Sequence, residues 1–99
     1  MSRAGAVGTV YLLHFQPTRL AHAGHYLGWT EHLEARLASH EKGTGARLTA
    51  AARRAGISWV LARTWEGVTT QRERQLKKQG GRSRMCPVCW ELRDKAATP

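Results

Sequence analysis

Five residues of this sequence have side chains whose types and spacing suit the hydrolysis of a phosphodiester bond. Two are the tyrosines of Val10-Tyr11-Leu12 and Tyr26-Leu27-Gly28, and the others are Arg36, His40 and Glu73. A positioned tyrosine can act as a general base, and an arginine can neutralise a phosphate. A carboxylate is a ligand for a hard metal ion such as Mg²⁺. Together these groups are the minimum that a nucleic-acid-cleaving site requires.

The tyrosines and Arg36 also have purely structural interpretations. Both tyrosines lie in predicted strands, where aromatic residues pack well. Arg36 could pair with Glu34 or Glu41, or lie along the surface of an amphipathic helix. However, Arg36 and His40 are four residues apart on one predicted helix, so their side chains lie one turn apart on the same side. This placement favours a shared site.

Glu73 lies at the end of Thr70-Gln71-Arg72-Glu73, which matches a Thr-x-x-Glu capping box. In that motif the glutamate closes the N-terminus of its helix and has no part in catalysis. The local pattern by itself favours the cap over a metal ligand. Only the wider resemblance described below favours the ligand.

The elements that would position these residues form an α+β domain. The patterns predict strands at 9–15, 25–29 and 57–65, and helices at 31–41, 46–54 and 70–79. Thr30 is the predicted N-cap of the first helix. Residues 57–65 are apolar at nearly every step, which predicts a central strand covered on both faces. This order predicts a small, mostly antiparallel sheet of three strands flanked by helices, with Trp29, Trp59 and Trp65 in the core.

The length of 99 residues is enough for one domain. We predict a catalytic domain over residues 1–80 and a basic C-terminal tail over 81–99. No apolar run approaches the roughly 20 residues that span a bilayer, and the N-terminus lacks the apolar segment of a signal peptide. A cytoplasmic location is therefore expected, in which the thiols of Cys86 and Cys89 stay reduced.

Two pairs of residues have the spacing of metal ligands. They are His22-x-x-His25 in the loop before the second strand and Cys86-x-x-Cys89 in the tail. Together they could form a Cys2His2 tetrahedron around a structural Zn²⁺. The alternative is that five histidines in 99 residues fall two apart by chance, and that two reduced cysteines need no metal.

The charge of the chain points to a polyanionic partner. Sixteen Lys and Arg against seven Asp and Glu give a net charge of +9, which predicts attraction to nucleic acid. We expect Arg47, Arg72, Lys77 and Lys78 to bind phosphates without reading sequence. A solvated surface that keeps the protein soluble is the alternative. A membrane-surface helix is disfavoured because the cations are scattered over several elements.

The motifs between residues 8 and 79 together resemble the GIY-YIG endonuclease superfamily. Thr9-Val10-Tyr11 stands in place of Gly-Ile-Tyr, and Tyr26-Leu27-Gly28 in place of Tyr-Ile-Gly. The resemblance is sharpest for the small stand-alone bacterial branch. Its Arg-x-x-x-His helix is matched by Arg36 and His40, and its Gly-x-Gly-Ala-Arg-x-Thr loop by residues 43–49. Its Glu-x-x-Leu-x-Lys helix is matched by residues 73–78.

The resemblance implies a Mg²⁺-dependent endonuclease acting on DNA. Glu73 would hold the metal, Tyr11 would activate the water and Arg36 would neutralise the phosphate, while Tyr26 and His40 position or assist. The chain contains no asparagine, although many members carry one beyond the glutamate. Two other classes remain open, an inactive nucleic-acid-binding module and a zinc-stabilised adaptor protein. No sequence feature indicates an oligomeric state.

Overall fold

The computed structural model describes residues 6–16, 24–80 and 82–91 of the chain. The elements follow the predicted order: β1 (Gly8–Gln16), β2 (His25–Thr30), α1 (Leu33–Lys42), α2 (Arg47–Arg54), β3 (Ser58–Val68) and α3 (Thr70–Gln79). A 3-10 helix, Arg82–Met85, and a helical segment at 87–91 follow. The predicted α+β fold with a three-stranded antiparallel sheet is confirmed.

The strand order of the sheet is β2-β1-β3, so the central strand is β1. The prediction that the third strand is central is wrong. Residues 10–15 of β1 are all buried between neighbours on both sides, whereas Leu61 of β3 is 41% exposed. Leu12 pairs with Arg63 and Leu13 with Leu61, which leaves Ala62 as an extra residue in a β-bulge. Both β1 and β3 contain an apolar run. Only the strand pairing shows that β1 is central and that β3 is at the edge.

Successive residues of β1 point to opposite faces of the sheet. Tyr11 faces α1 and α2, where it contacts His40. We call this side the tyrosine face. Val10 and Leu12 belong instead to a core cluster that includes Leu76 of α3. Cys86 is in the same cluster, so we call this second side the cysteine face.

The start of α1 differs from the prediction. The N-cap is His32 and the helix begins at Leu33, so Thr30 is not the cap. The Thr30 hydroxyl oxygen accepts a hydrogen bond from the backbone N–H of His32 at 3.0 Å, which closes a turn between β2 and the helix. The end of α1 is as predicted, because Gly43 adopts a left-handed conformation with φ of 81°.

The segment after α3 packs against the cysteine face. Cys86 is fully buried, and Met85, Val88 and Cys89 pack around the same cluster. Residues 82–91 therefore dock on the sheet through their own apolar side chains. Trp29 and Trp65 are half-buried against this cluster, whereas Trp59 contacts His40 on the tyrosine face. None of the helices within the described residues is long and apolar enough to cross a membrane.

Candidate functional site

The hydroxyl group of Tyr11 is the centre of a hydrogen-bonded set on the tyrosine face. Its oxygen lies 2.7 Å from Nε2 of His40 and 3.3 Å from Nε of Arg36, which donates to it. Both partners come from α1, one helical turn apart, as the sequence predicts. Arg36 therefore contacts the tyrosine rather than pairing with a neighbouring glutamate.

Thr49 determines which ring nitrogen of His40 carries the proton. The Thr49 hydroxyl oxygen accepts the N–H of Ala46 at 3.3 Å, and the hydroxyl donates to the carbonyl oxygen of Ala46 at 3.1 Å. When the single hydroxyl proton goes to the Ala46 carbonyl, Nδ1 of His40, at 2.8 Å, is the donor to Thr49. Nε2 is then unprotonated and accepts the proton of the Tyr11 hydroxyl. Thr49 is the last residue of the motif matched at 43–49, but the sequence analysis assigned no role to it.

Burial sets the protonation states of this pair. It lowers the pKa of His40 to about 4, and the charge of Arg36 acts in the same direction. Burial also raises the pKa of Tyr11 to about 12, although the hydrogen bond from Arg36 opposes this. At neutral pH the histidine is uncharged and the phenol keeps its proton. The Tyr11 hydroxyl is therefore the proton donor of this pair, and the unprotonated Nε2 of His40 is the acceptor.

Two glycines leave room for the ring systems of this site. A Cβ on Gly28 would lie 2.6 Å from Cζ and the hydroxyl oxygen of Tyr11, so the tyrosine ring lies directly over β2. A Cβ on Gly45 would overlap the imidazole of His40. Tyr26 completes the aromatic surroundings, with its ring centroid 6.1 Å from that of Tyr11 and 5.3 Å from that of His40.

Glu73 lies outside this hydrogen-bonded set. It is on α3, which packs on the cysteine face through Leu76, and its carboxylate forms an ion pair with Lys77 at 3.6 Å. It is not a capping residue either. The N-cap of α3 is Thr69, without a side-chain cap hydrogen bond, so Glu73 is the fourth residue of the helix. The capping-box interpretation is therefore wrong.

The predicted phosphate-binding residues lie mainly on α3. Lys77 pairs with Glu73, Lys78 is exposed, and Arg72 donates to the side-chain oxygen of Gln75 at 3.4 Å. The side chain of Arg47 is outside what the structure describes.

A second cluster on the cysteine face has the composition of a metal site. It comprises His14, His25, Cys86 and Cys89, whose ligand atoms all lie within 4.8 Å of one another. Nδ1 of His14 is 3.2 Å from Nε2 of His25 and 3.5 Å from each cysteine sulfur. The Cys89 sulfur is 3.3 Å from Nε2 of His25. These four side chains form a possible metal-binding group.

The distances in this cluster suit a tetrahedral ion. Four ligands at about 2.0–2.3 Å from a tetrahedral ion lie roughly 3.3–3.8 Å from one another. The nitrogen and sulfur separations above are close to that range. Burial also lowers the pKa of His14, which favours the neutral imidazole that a metal requires.

The structure contains one histidine of this cluster that the sequence analysis missed. The predicted set included His22, which lies outside the described residues, together with His25 and the two cysteines. His14 does not share the x-x spacing of the two predicted pairs, because it lies 11 residues from His25 in the sequence. The signal that identifies it is strand pairing, because His14 is opposite His25 in the β1–β2 register and on the face that Cys86 covers.

Comparison with family models, with curated proteins and with solved structures finds no match to this chain. Membership of the GIY-YIG superfamily therefore stays a prediction from the motifs.

Proposed function

We propose that this domain hydrolyses phosphodiester bonds in DNA, as a nuclease of the GIY-YIG type. The observation that carries the proposal is the Tyr11 hydroxyl held between a neutral imidazole acceptor and a guanidinium donor. A packing tyrosine needs only one such partner. A phenol with an acceptor for its proton and a cation beside its oxygen has the partners that a general-base relay requires.

In the proposed reaction, Tyr11 takes a proton from the attacking water as it passes its own proton to Nε2 of His40, in one concerted relay. The resulting imidazolium is short-lived, because burial and Arg36 disfavour the charge. The hydroxide forms the new bond to phosphorus as the bond to the leaving oxygen breaks. The imidazolium that forms on His40 is stabilised by Thr49, and its proton is released to solvent or to the leaving oxygen. Arg36 lies beside Tyr11 and neutralises charge on the phosphate.

Glu73 is the proposed protein ligand of a catalytic Mg²⁺. Its carboxylate pairs with Lys77 and is partly accessible, at 21% exposure. A carboxylate oxygen has the ligand chemistry that Mg²⁺ prefers, and this ion usually takes few protein ligands and keeps several waters. When bound, the ion would supply positive charge to the phosphate. Such binding requires the Lys77 ammonium to be displaced.

The edge strand β2 is where we place the substrate phosphate. The Tyr11 ring lies over Gly28 on one face of this strand, and α3 packs against β2 on the other face. The Tyr11 side chain is fully buried, so a phosphate bound across this edge would reach its hydroxyl only after the side chains that cover it move aside. Glu73 could then act although its helix lies on the opposite face.

The test is a cleavage assay with labelled linear and branched DNAs and Mg²⁺. We expect Tyr11→Phe to lower the cleavage rate by roughly 10²–10⁴-fold, the usual contribution of a general base. Glu73→Gln should also abolish Mg²⁺-dependent cleavage while DNA binding stays nearly intact. Glu66→Gln, which removes an exposed carboxylate from β3, is the matched control and should leave the rate unchanged.

Two outcomes would contradict the nuclease proposal. One is cleavage by Tyr11→Phe at the wild-type rate. The other is DNA binding by the wild-type protein without cleavage of any substrate, which would favour the inactive binding module.

We further propose that the ion held by His14, His25, Cys86 and Cys89 is a structural Zn²⁺. Two thiolates and two imidazoles in a tetrahedron suit zinc better than magnesium or calcium, which prefer oxygen ligands. All four positions are taken by protein side chains, so no position is open for a water or a substrate. Such a site stabilises the fold and performs no chemistry itself.

A further inference from the structure

A pocket of about 320 Å³ adjoins the Tyr11 site and has no part in the mechanism above. It is formed by the end of α1, the end of α2 and the beginning of β3. The lining side chains that matter here are His40, Glu41, Arg53, Ile57, Ser58 and Trp59. His40 belongs both to this pocket and to the hydrogen bond with Tyr11, so one imidazole ring connects the two.

The lining of the pocket combines an aromatic wall with unpaired polar groups. Trp59 lies edge-to-face with His40, at 6.2 Å between ring centroids and an angle of 82°. The side chains of Glu41 and Arg53 are exposed, and neither forms an ion pair or hydrogen bond with another described residue. A carboxylate and a guanidinium beside an indole offer an acceptor, donors and a stacking surface to one ligand.

The ligand that matches this chemistry is a nucleobase. A base is planar and has amino and carbonyl groups at its edge, which suit Glu41 and Arg53. The volume is near the lower end for small-molecule pockets, so it suits one base and little more. Stacking of bases on aromatic side chains is the usual way in which single-stranded nucleic acid is held without sequence selection.

We propose that this pocket binds an unpaired nucleobase of the strand whose phosphate lies at Tyr11. The proposal rests on the proposed function, and it specifies the substrate class. A base within a continuous duplex cannot enter without leaving its stack. The domain would therefore select DNA with a single-stranded nucleotide next to the cut, such as an overhang, a gap or a flap.

The test measures binding without added Mg²⁺ and without a chelator, so that no Mg²⁺-dependent cleavage occurs and the proposed structural zinc stays bound. The probes are a fluorescein-labelled single-stranded oligonucleotide, the same strand with a central abasic site, and the corresponding duplex. We expect the abasic strand to bind more weakly than the intact strand. Trp59→Leu should weaken binding of the intact strand roughly tenfold, which is within the usual contribution of one stacked base, and change duplex binding less than about twofold.

Further variants distinguish loss of the pocket from a general loss of DNA affinity. Trp90→Leu removes a tryptophan that is 40% exposed in the C-terminal segment, on the other face of the sheet, and should alter neither affinity. Arg53→Ala removes an exposed side chain and should also weaken the single strand selectively, even if Trp59→Leu folds poorly. A 2-aminopurine base in the strand should lose fluorescence on binding to the wild-type protein and not on binding to the Trp59 variant.

Equal loss of single-strand and duplex affinity in both pocket variants, or no loss in either, would overturn the proposal. These outcomes do not depend on cleavage. If the wild-type protein cleaves DNA but the pocket variants bind normally, only the nucleobase pocket is wrong. If the pocket variants lose single-strand affinity and no DNA is cleaved, only the nuclease proposal is wrong.

Discussion

At the scale of single residues, the proton arrangement around His40 is the feature with the most consequences. Thr49 fixes the proton on Nδ1, and the hydrogen bond from Tyr11 occupies Nε2. A second proton on this ring would have to be placed in a fully buried site beside Arg36. The native state therefore resists protonation of His40, and the unfolded chain does not.

This difference predicts a loss of stability in acid. The pKa of His40 is about 4 in the folded protein and about 6.5 in an unfolded chain, so only the unfolded state takes up a proton between these values. The stabilisation is complete above pH 6.5 and is lost as the pH falls towards 4, by up to about 3 kcal/mol. Denaturant unfolding of the wild type and of His40→Gln at several pH values measures it.

The quantity to compare is the difference in unfolding free energy between the two proteins. Other titrating histidines contribute to both proteins and cancel in that difference. A difference that does not change between pH 7 and pH 4 would mean that His40 is protonated as readily in the folded state.

The sequence identifies some residues of this site and misses others for a physical reason. Arg36 and His40 were predictable because helical geometry brings residues four apart onto one side. Thr49 was included in the motif at 43–49, but its role was not predictable because it acts through His40. His14 was missed because its ligand position depends on a strand partner. The position of Glu73 relative to Tyr11 depends on which face α3 covers, and local patterns do not determine that.

At the scale of elements, close packing between strand and ring explains Gly28. A glycine normally weakens a strand, so alanine would be expected to help. Here the added methyl group would meet the Tyr11 ring at 2.6 Å, so alanine should destabilise the fold instead of stabilising it. We expect Gly28→Ala to lower the free energy of unfolding by about 1–3 kcal/mol, as overpacking does, and to lower cleavage as well. Denaturant titration and the cleavage assay measure the two effects.

Gly67→Ala is the control for this substitution. No atom lies within 4 Å of a Cβ at Gly67, and its φ of 70° makes alanine strained by about 1 kcal/mol only. This variant should lose some stability and keep its cleavage rate. Full activity of Gly28→Ala would show that the Tyr11 ring is not held over β2.

The proposed zinc ion would join the β1–β2 hairpin to the C-terminal segment. We expect purified protein to contain stoichiometric zinc, and His14→Gln to lose it together with several degrees of melting temperature. His22→Gln is the matched control, since His22 has the sequence spacing of a ligand but His14 has the contacts. Elemental analysis and thermal melts with and without a chelator provide the measurements.

Two results would contradict this assignment of the zinc ligands or the zinc itself. Zinc retained by His14→Gln and lost by His22→Gln would restore the ligand set predicted from spacing alone. Metal-free protein that melts at the same temperature with and without chelator would end the zinc proposal.

The order of elements was predictable because each strand and helix has its own local signals. Glycines end α1 and α3, and β-branched and aromatic residues mark β1. The central strand was assigned wrongly, because an apolar run indicates burial and does not indicate which strands pair. Strand order is set by contacts between residues far apart in the chain, which periodicity does not contain.

At the scale of the whole molecule, the net charge of +9 dominates the encounter with DNA. We expect affinity for DNA to fall steeply as salt is raised from 50 to 200 mM, because bound counterions are released from the phosphates. Lys78→Gln, on α3, should reduce the slope of log affinity against log salt by about one. Measured on duplex DNA, which does not enter the pocket beside Lys42, Lys42→Gln should leave the slope unchanged if α3 forms the contact surface.

A slope unaffected by Lys78→Gln would place the DNA elsewhere on the protein. The sequence predicts the sign of this charge and the class of partner. It does not predict the face that meets the partner, because that depends on how α3 docks against the sheet.

The alternation of side chains along β1 and β2 limits how this protein can change. His25 and Tyr26 are neighbours in the chain, yet one belongs to the metal-binding group and the other to the aromatic surroundings of His40. Inserting or deleting a single residue in either strand would exchange the faces of everything beyond it. Each cluster can therefore accept substitutions independently, but a change of length in this hairpin would remove both together. A substitution can alter one site alone, whereas a shift in the register of these strands alters both sites.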